Sequence, residues 1–151
     1  MLTGIRVREI MRNKVHTIDD TASIMECAQK MAQEEVGSLI IKKNSGVGGI
    51  VTEQDLARKA LAKGLDPKTT KVRSLMAKKV HTIGSDQDIY EAVVKMGKQK
   101  IKHLPVLENK QLVGIISYKD IIKLQPGLIE LLSFKSSLPR KMIKRIFFNK
   151  Q

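Results

Sequence analysis

The sequence predicts an α/β protein in which one strand-helix-strand-strand-helix unit occurs twice, packed as a pseudo-twofold pair and followed by a helical tail. Residues 7–56 align with residues 72–121 at a constant offset of 65 positions, without a gap. Within this alignment Val15-His16-Thr17-Ile18 returns as Val80-His81-Thr82-Ile83. Short aliphatic runs alternate with amphipathic stretches in both copies. A repeat of this length indicates two copies of one supersecondary unit.

Local signals define the elements of the first copy. Ser23 with Glu26 has the form of a capping box, which predicts a helix with Ile24, Ala28, Met31 and Ala32 on its apolar face. The remaining elements are strands at Val15–Ile18, Ser38–Lys42 and Gly49–Thr52, a turn at Asn44-Ser45-Gly46, and a helix from Glu53 to about Lys63.

The second copy repeats these signals. Asp88 with Glu91 predicts the start of its first helix, and Leu104–Leu107 and Gly114–Ser117 predict its last two strands. Gly64 and Pro67 interrupt the chain between the copies, since Gly ends helices and Pro resists their resumption. We therefore predict three domains, namely a first repeat at 1–66, a second at 67–124 and a tail at 125–151.

Composition predicts a cytoplasmic protein with acidic partners. The chain has 151 residues, 42% of them hydrophobic, and its formal charge of +13 favours phosphate ligands, nucleic acid or an anionic membrane face. The single Cys27 excludes an intramolecular disulfide and fits a reducing compartment. The sequence shows neither the apolar region of a signal peptide nor an apolar run of roughly 18 residues, which a membrane span needs.

The tail at 125–151 predicts a basic amphipathic element. Its two apolar stretches, Pro126–Phe134 and Pro139–Phe148, both favour helix, and six Lys or Arg residues accompany a single acidic residue, Glu130. One interpretation is that the apolar side packs on the body or across a dimer while the cations stay hydrated. The alternative is that the tail docks an acidic protein partner, nucleic acid or an anionic membrane.

The same seven-residue pattern ends the last strand of each copy. A glycine, two aliphatic residues, a hydroxyl residue, two variable positions and an aspartate form Gly49–Asp55 and Gly114–Asp120. The pattern places a hydroxyl and a carboxylate beside the free N–H groups of a helix start, where phosphate is favoured. The carboxylate can accept hydrogen bonds from two ribose hydroxyls. Thr52 with Asp55 is also a plain helix-capping pair, and this interpretation stays open.

This duplicated pattern, together with Leu104-Pro105-Val106, resembles the cystathionine-β-synthase (CBS) domain, and the pair resembles a Bateman module over about 7–124. The resemblance implies two clefts that bind an adenosine-containing ligand such as AMP, ADP, ATP or an S-adenosyl compound, with no cofactor required. It also implies a homodimer. By resemblance, ribose is expected at Asp55 and Asp120, phosphate at Thr52 and Ser117, and adenine near the backbone of Thr17-Ile18 and Thr82-Ile83.

Cations before the Leu-Pro-Val strand make the two copies unequal. Nucleotide-sensing relatives often carry basic residues at this place, and here Lys102-His103 occupy it. The first copy has Gly37-Ser38 instead. We therefore predict one better phosphate site, in the second repeat, with a merely solvated Lys102 as the alternative.

The sequence favours a regulatory binding module over an enzyme, because no base, nucleophile and orienting group form a catalytic set. His16 and His81 lack clustered partners, so no metal site is predicted. Two other functions stay open. One is nucleic-acid binding through the basic surface and tail, although the aromatic stacking platform usual for single strands is missing. The other is a ligand-free scaffold for a protein partner.

Overall fold

The structure is a computed structural model that describes residues 2–44 and 46–124, together with Gly127. Each repeat contributes one three-stranded sheet, and the element order is the same in both. The predicted α/β fold of two tandem repeats is therefore confirmed. The predicted helices of the tail lie outside the described residues.

The elements follow the chain in this order: α1 (Val7–Ile10), β1 (Thr17–Ile18), α2 (Ile24–Glu34), β2 (Ser38–Lys43), β3 (Gly46–Thr52), α3 (Glu53–Asp55), a π-helical turn (Leu56–Ala60), 3-10 turns (Leu61–Lys63 and Val72–Ser74), β4 (Ile83–Gly84), α4 (Ile89–Gln99), β5 (His103–Glu108), β6 (Gln111–Ser117) and α5 (Tyr118–Leu124). Helical backbone thus runs from Glu53 to Lys63 as predicted, but with a π-helical turn inside it. The first strand is two residues long, shorter than the predicted Val15–Ile18.

Both sheets have a central strand with one parallel and one antiparallel neighbour. β2 lies between β1, which is parallel to it, and β3, which is antiparallel. β5 lies in the same way between β4 and β6. The antiparallel registers pair Ser38 with Thr52 and His103 with Ser117. The residues that begin each central strand therefore lie opposite the hydroxyl residue that ends the last strand.

Side-chain caps start the long helices where the sequence predicts. The Ser23 hydroxyl accepts a hydrogen bond from the Glu26 N–H at 3.1 Å, and the Glu26 carboxylate accepts one from the Ser23 N–H at 2.6 Å. Asp88 caps α4 through the Tyr90 N–H at 2.8 Å. The predicted apolar face of α2 is partly wrong, because the residues it buries are Ile24, Cys27 and Met31. Ala28 and Ala32 are exposed, since the buried stripe follows positions i, i+3 and i+7.

Two compact units make up the chain, and each contains a segment from outside its own sheet. Over the described residues, one unit is Lys14–His81, and the other joins residues 2–13 to residues 82–124. Val7, from the N-terminal segment (residues 2–13), is fully buried in the core of the unit that holds repeat two. Val72 and Leu75, from the start of the second sequence repeat (residues 72–77), are buried in the core of the unit that holds the sheet of repeat one.

Polar contacts also hold the N-terminal segment against repeat two. The Asp88 carboxylate accepts hydrogen bonds from the backbone N–H groups of Thr3 and Gly4, both at 2.9 Å, and from the Thr3 hydroxyl at 2.8 Å. The Val7 N–H donates to the Gln87 carbonyl at 2.9 Å.

The predicted boundaries at 66/67 and 124/125 concern the repeats along the sequence and stay a prediction. Within the described part of the chain, no helix combines the length and apolar character that crossing a membrane requires.

Candidate functional site

In repeat one, the hydroxyl and the carboxylate of the repeated pattern bind each other. The Thr52 N–H and hydroxyl donate to Asp55 Oδ2 at 3.0 and 3.1 Å, and the Asp55 N–H donates to the Thr52 hydroxyl at 3.2 Å. The second carboxylate oxygen, Oδ1, lies 2.9 Å from Lys59 Nζ. Thr52 and Asp55 therefore form the capping pair that the sequence left open as one interpretation.

In repeat two, the same arrangement is more buried. The Ser117 N–H and hydroxyl donate to Asp120 Oδ2 at 2.8 and 2.7 Å. The Asp120 side chain is 9% exposed, against 16% for Asp55. Its Oδ1 does not meet a lysine of its own helix but accepts a hydrogen bond from Arg12 Nε at 3.0 Å. Each aspartate thus uses about three of its roughly four acceptor positions inside the protein, which leaves about one for a ligand.

Arg12 belongs to the N-terminal segment, and sequence reasoning missed it. It pairs with β6 as a short antiparallel bridge. The Arg12 N–H donates to the Ile115 carbonyl at 2.8 Å, and the Ile115 N–H donates to the Arg12 carbonyl at 3.0 Å. Ala77 makes the corresponding bridge to Ile50 in repeat one. The contrast between Met11-Arg12 and Met76-Ala77, 65 positions apart, was the available signal.

The close approach of these segments explains the first glycine of the repeated pattern. A Cβ on Gly114 would lie 2.7 Å from Met11 Sδ and 2.8 Å from the Arg12 carbonyl oxygen. A Cβ on Gly49 would lie 2.8 Å from Met76 Sδ and 3.0 Å from the carbonyl oxygen of Ala77. Both glycines are therefore required by backbone that crosses the last strand.

The residues predicted to frame adenine lie on or next to the first strand of each repeat, and equivalent lysines bind the carbonyl groups of the two threonines. Lys30 Nζ donates to the Thr17 carbonyl, and Lys95 Nζ donates to the Thr82 carbonyl at 2.5 Å. Ile18 pairs with Ile41 of β2, and Ile83 of repeat two is buried beside Val106 of β5. The lysines stabilise the backbone at the positions where adenine is predicted to bind.

Lys102 and His103 lie close to Ser117 and Asp120, as the predicted phosphate site requires. The Lys102 carbonyl accepts the Tyr118 N–H at 3.0 Å, and Lys102 Nζ lies 5.3 Å from the centre of the Tyr118 ring. Burial lowers the pKa of His103 to about 4, the Asp120 carboxylate opposes this, and Lys119, Lys102 and Arg12 add to it. His103 is therefore neutral at pH 7 and offers a hydrogen bond rather than a charge.

The other candidate groups have structural surroundings. Cys27 is fully buried, and desolvation raises the pKa of its thiol to about 11, so the reactive thiolate is not formed at neutral pH. His16 Nδ1 lies 3.6 Å from Glu34 Oε2. Over residues 2–44 and 46–124, no three His, Cys, Asp or Glu side chains are grouped so that they could hold a metal ion.

The duplicated sheets and the hydroxyl-aspartate pair after each last strand define a class of α/β domain built from two tandem repeats. The chain belongs to the CBS domain family, whose model matches residues 7–62 and 72–127. A CBS pair is a regulatory module and not a catalytic one.

Two curated proteins and one solved structure illustrate the family relationship. Uncharacterized protein MK0525 of Methanopyrus kandleri is 33% identical over 131 residues, which are 85% of this chain and 66% of that protein. The mitochondrial CBS domain-containing protein CBSX3 of Arabidopsis thaliana is 31% identical over 112 residues, 71% of this chain and 53% of that protein. The chain thus spans less than two thirds of these relatives.

Among solved structures, the CBS domain pair of protein MJ0100 has a TM-score of 0.74 and 29% identity, and the match covers 82% of this chain and 97% of that one. That structure is a complex with 5′-methylthioadenosine and S-adenosyl-L-methionine.

Proposed function

We propose that this chain is a regulatory module that binds an adenosine-containing ligand and passes its occupancy to a partner as a change of shape or surface. The observation that carries the proposal is the hydroxyl-aspartate pair, which occurs with the same hydrogen bonds in both repeats of a CBS pair. Adenosine compounds bound to the CBS pair of protein MJ0100 support the ligand class.

In this proposal the site residues divide between the ribose, the phosphate and the adenine of the ligand. Asp55 and Asp120 accept hydrogen bonds from ribose, because a carboxylate with an open acceptor position can bind a hydroxyl. Ser117 meets the phosphate or the ligand's 5′ substituent, with Lys102 and His103 beside it, and Thr52 does so in repeat one; each hydroxyl turns from its aspartate to the ligand when it donates, because it has a single proton. The backbone at Thr17-Ile18 and Thr82-Ile83 frames adenine. A homodimer and a protein partner stay predictions.

The test must separate ligand binding from helix capping. Calorimetric titration with AMP, ADP, ATP, S-adenosylmethionine and 5′-methylthioadenosine identifies the ligand. Asp120→Ala and Asp55→Ala then each remove charged hydrogen bonds worth about 1.5–3 kcal/mol, so affinity at the altered site should fall roughly 10- to 150-fold.

Ser23→Ala is the matched control, because Ser23 caps α2 but has no proposed ligand role. It should lower stability by about 1 kcal/mol and leave the affinity unchanged. If both aspartate variants behave like Ser23→Ala, the repeated pattern caps helices and nothing more. If none of the five compounds binds, the scaffold or nucleic-acid alternative replaces this proposal.

A further inference from the structure

Arg12 is fixed beside Asp120 by its backbone as well as by its side chain. Its two backbone hydrogen bonds to Ile115 hold the N-terminal segment on β6, and Met11 packs over the bare Cα of Gly114. The Arg12 side chain then spans the distance from this backbone to the Asp120 carboxylate. Arg12 therefore reaches Asp120 without the entropy cost of ordering a loose surface segment.

The guanidinium keeps most of its hydrogen-bonding capacity. Arg12 uses Nε for Asp120 Oδ1, while its Nη groups have no hydrogen-bond partner within the described residues. Its side chain is 44% exposed. Because Arg12 and Ser117 bind different oxygens of the same carboxylate, they flank Asp120 from two sides. A phosphate attached to a ribose at Asp120 would meet a planar donor group, which suits phosphate geometry.

The corresponding positions in repeat one carry no such charge. Repeat two has three cations close enough to His103 to lower its pKa, namely Arg12, Lys102 and Lys119. Their counterparts 65 positions away are Ala77, Gly37 and Gln54. Tyr118, whose N–H binds the Lys102 carbonyl, is replaced by Glu53, whose N–H binds the Gly37 carbonyl in the same way at 3.0 Å. The cation at the repeat-one aspartate is Lys59, which lies 2.9 Å from Asp55 Oδ1 and also donates to the Leu75 carbonyl at 3.3 Å. The backbone is thus the same in the two repeats, while repeat one has a lysine where repeat two has an arginine.

We propose that Arg12 is a specificity-determining residue, through which the repeat-two site selects phosphorylated adenosine compounds over uncharged or cationic ones. The repeat-one site, with Ala77 and Glu53, does not discriminate in this way and accepts neutral or sulfonium-bearing adenosyl compounds. The inference rests on the proposed function and adds the ligand class of each site. It also means that the residue which sets the selectivity of the repeat-two site lies within the first repeat of the sequence.

The experiment compares ATP, adenosine and S-adenosylmethionine by calorimetric titration of the full chain. Arg12→Ala should weaken ATP binding roughly 5- to 30-fold at the repeat-two site and should leave adenosine binding nearly unchanged. This effect is smaller than the roughly 10- to 150-fold expected for the aspartates, because Arg12 is half exposed. Arg12→Lys should restore part of the preference for ATP, since it keeps the charge but loses the planar donors. Thermal unfolding of each variant shows that it is folded.

Ala77→Arg is the reciprocal variant, because the backbone of Ala77 already pairs with Ile50 as that of Arg12 pairs with Ile115. It should give the repeat-one site a new preference for ATP over S-adenosylmethionine. If wild-type protein binds ATP but Arg12→Ala changes ATP and adenosine equally, this inference is overturned and the proposed function survives. If the wild-type chain binds none of the three compounds, both are overturned.

Discussion

Val7 and Val72 provide a sharp test of which segment completes which core. Both are 0% exposed and occupy equivalent positions, but Val7 lies in the core around Ile89 and Val72 in the core around Ile24. Val→Ala removes two buried carbon atoms, at about 0.8 kcal/mol each, and leaves a cavity. We therefore expect each variant to destabilise its own unit by about 1.5–3 kcal/mol.

Native-state hydrogen exchange measures the two units separately, since amides report local opening free energies. Val7→Ala should lower protection in α4 and β5, and Val72→Ala should lower it in α2 and β2. The two tyrosines of the chain, Tyr90 and Tyr118, lie in the unit that contains Val7 and give a second, optical readout of that unit. The reverse pattern, with Val7→Ala lowering protection in α2, would refute the conclusion that residues 2–13 complete the core of the unit that holds repeat two.

Two further predictions concern the glycine of the repeated pattern and the buried histidine. Gly114→Ala should cost about 1–3 kcal/mol in thermal unfolding, because its Cβ would overlap Met11 and the Arg12 carbonyl, and a wild-type melting temperature would contradict this close approach. His103 has a folded-state pKa of about 4, below its unfolded value of about 6.5, so the unfolded state binds more protons between these values and stability falls as pH drops through this window. Urea unfolding should show a free energy of unfolding about 1–3 kcal/mol lower at pH 4.5 than at pH 7, and His103→Asn should make this difference smaller. If the variant keeps the same pH dependence, His103 is not desolvated.

Local chemistry predicted much of this fold. The capping boxes at Ser23 and Asp88 fix where two helices start, because a hydroxyl or carboxylate satisfies helix N–H groups within three residues of the chain. The repeat itself predicted that both copies would have the same succession of strands and helices. The burial of Ala28 and Ala32 was predicted wrongly, since apolar character alone does not fix which stripe of a helix faces the core.

The candidate site was predictable only where its parts are neighbours in sequence. Thr52 with Asp55, and Ser117 with Asp120, are three residues apart, so one turn of helix brings them together. Arg12 and Asp120 are 108 residues apart, and their contact depends on a backbone bridge that no local pattern encodes. The neutral state of His103 depends in the same way on burial, which follows from the packing of the whole unit.

Residues 2–13 pack in the unit that is otherwise formed by residues 82–124, and this affects the order in which the two units can fold during synthesis. Residues 14–81 leave the ribosome as a continuous stretch that contains every residue of one core, so this unit can close while the rest is still being made. Val7 emerges earlier, but its partner Ile121 follows more than a hundred residues later. At about 5–20 residues per second this is a delay of roughly 5 to 20 s. Residues 2–13, Arg12 included, are therefore made before residues 14–81 but reach their final position after them.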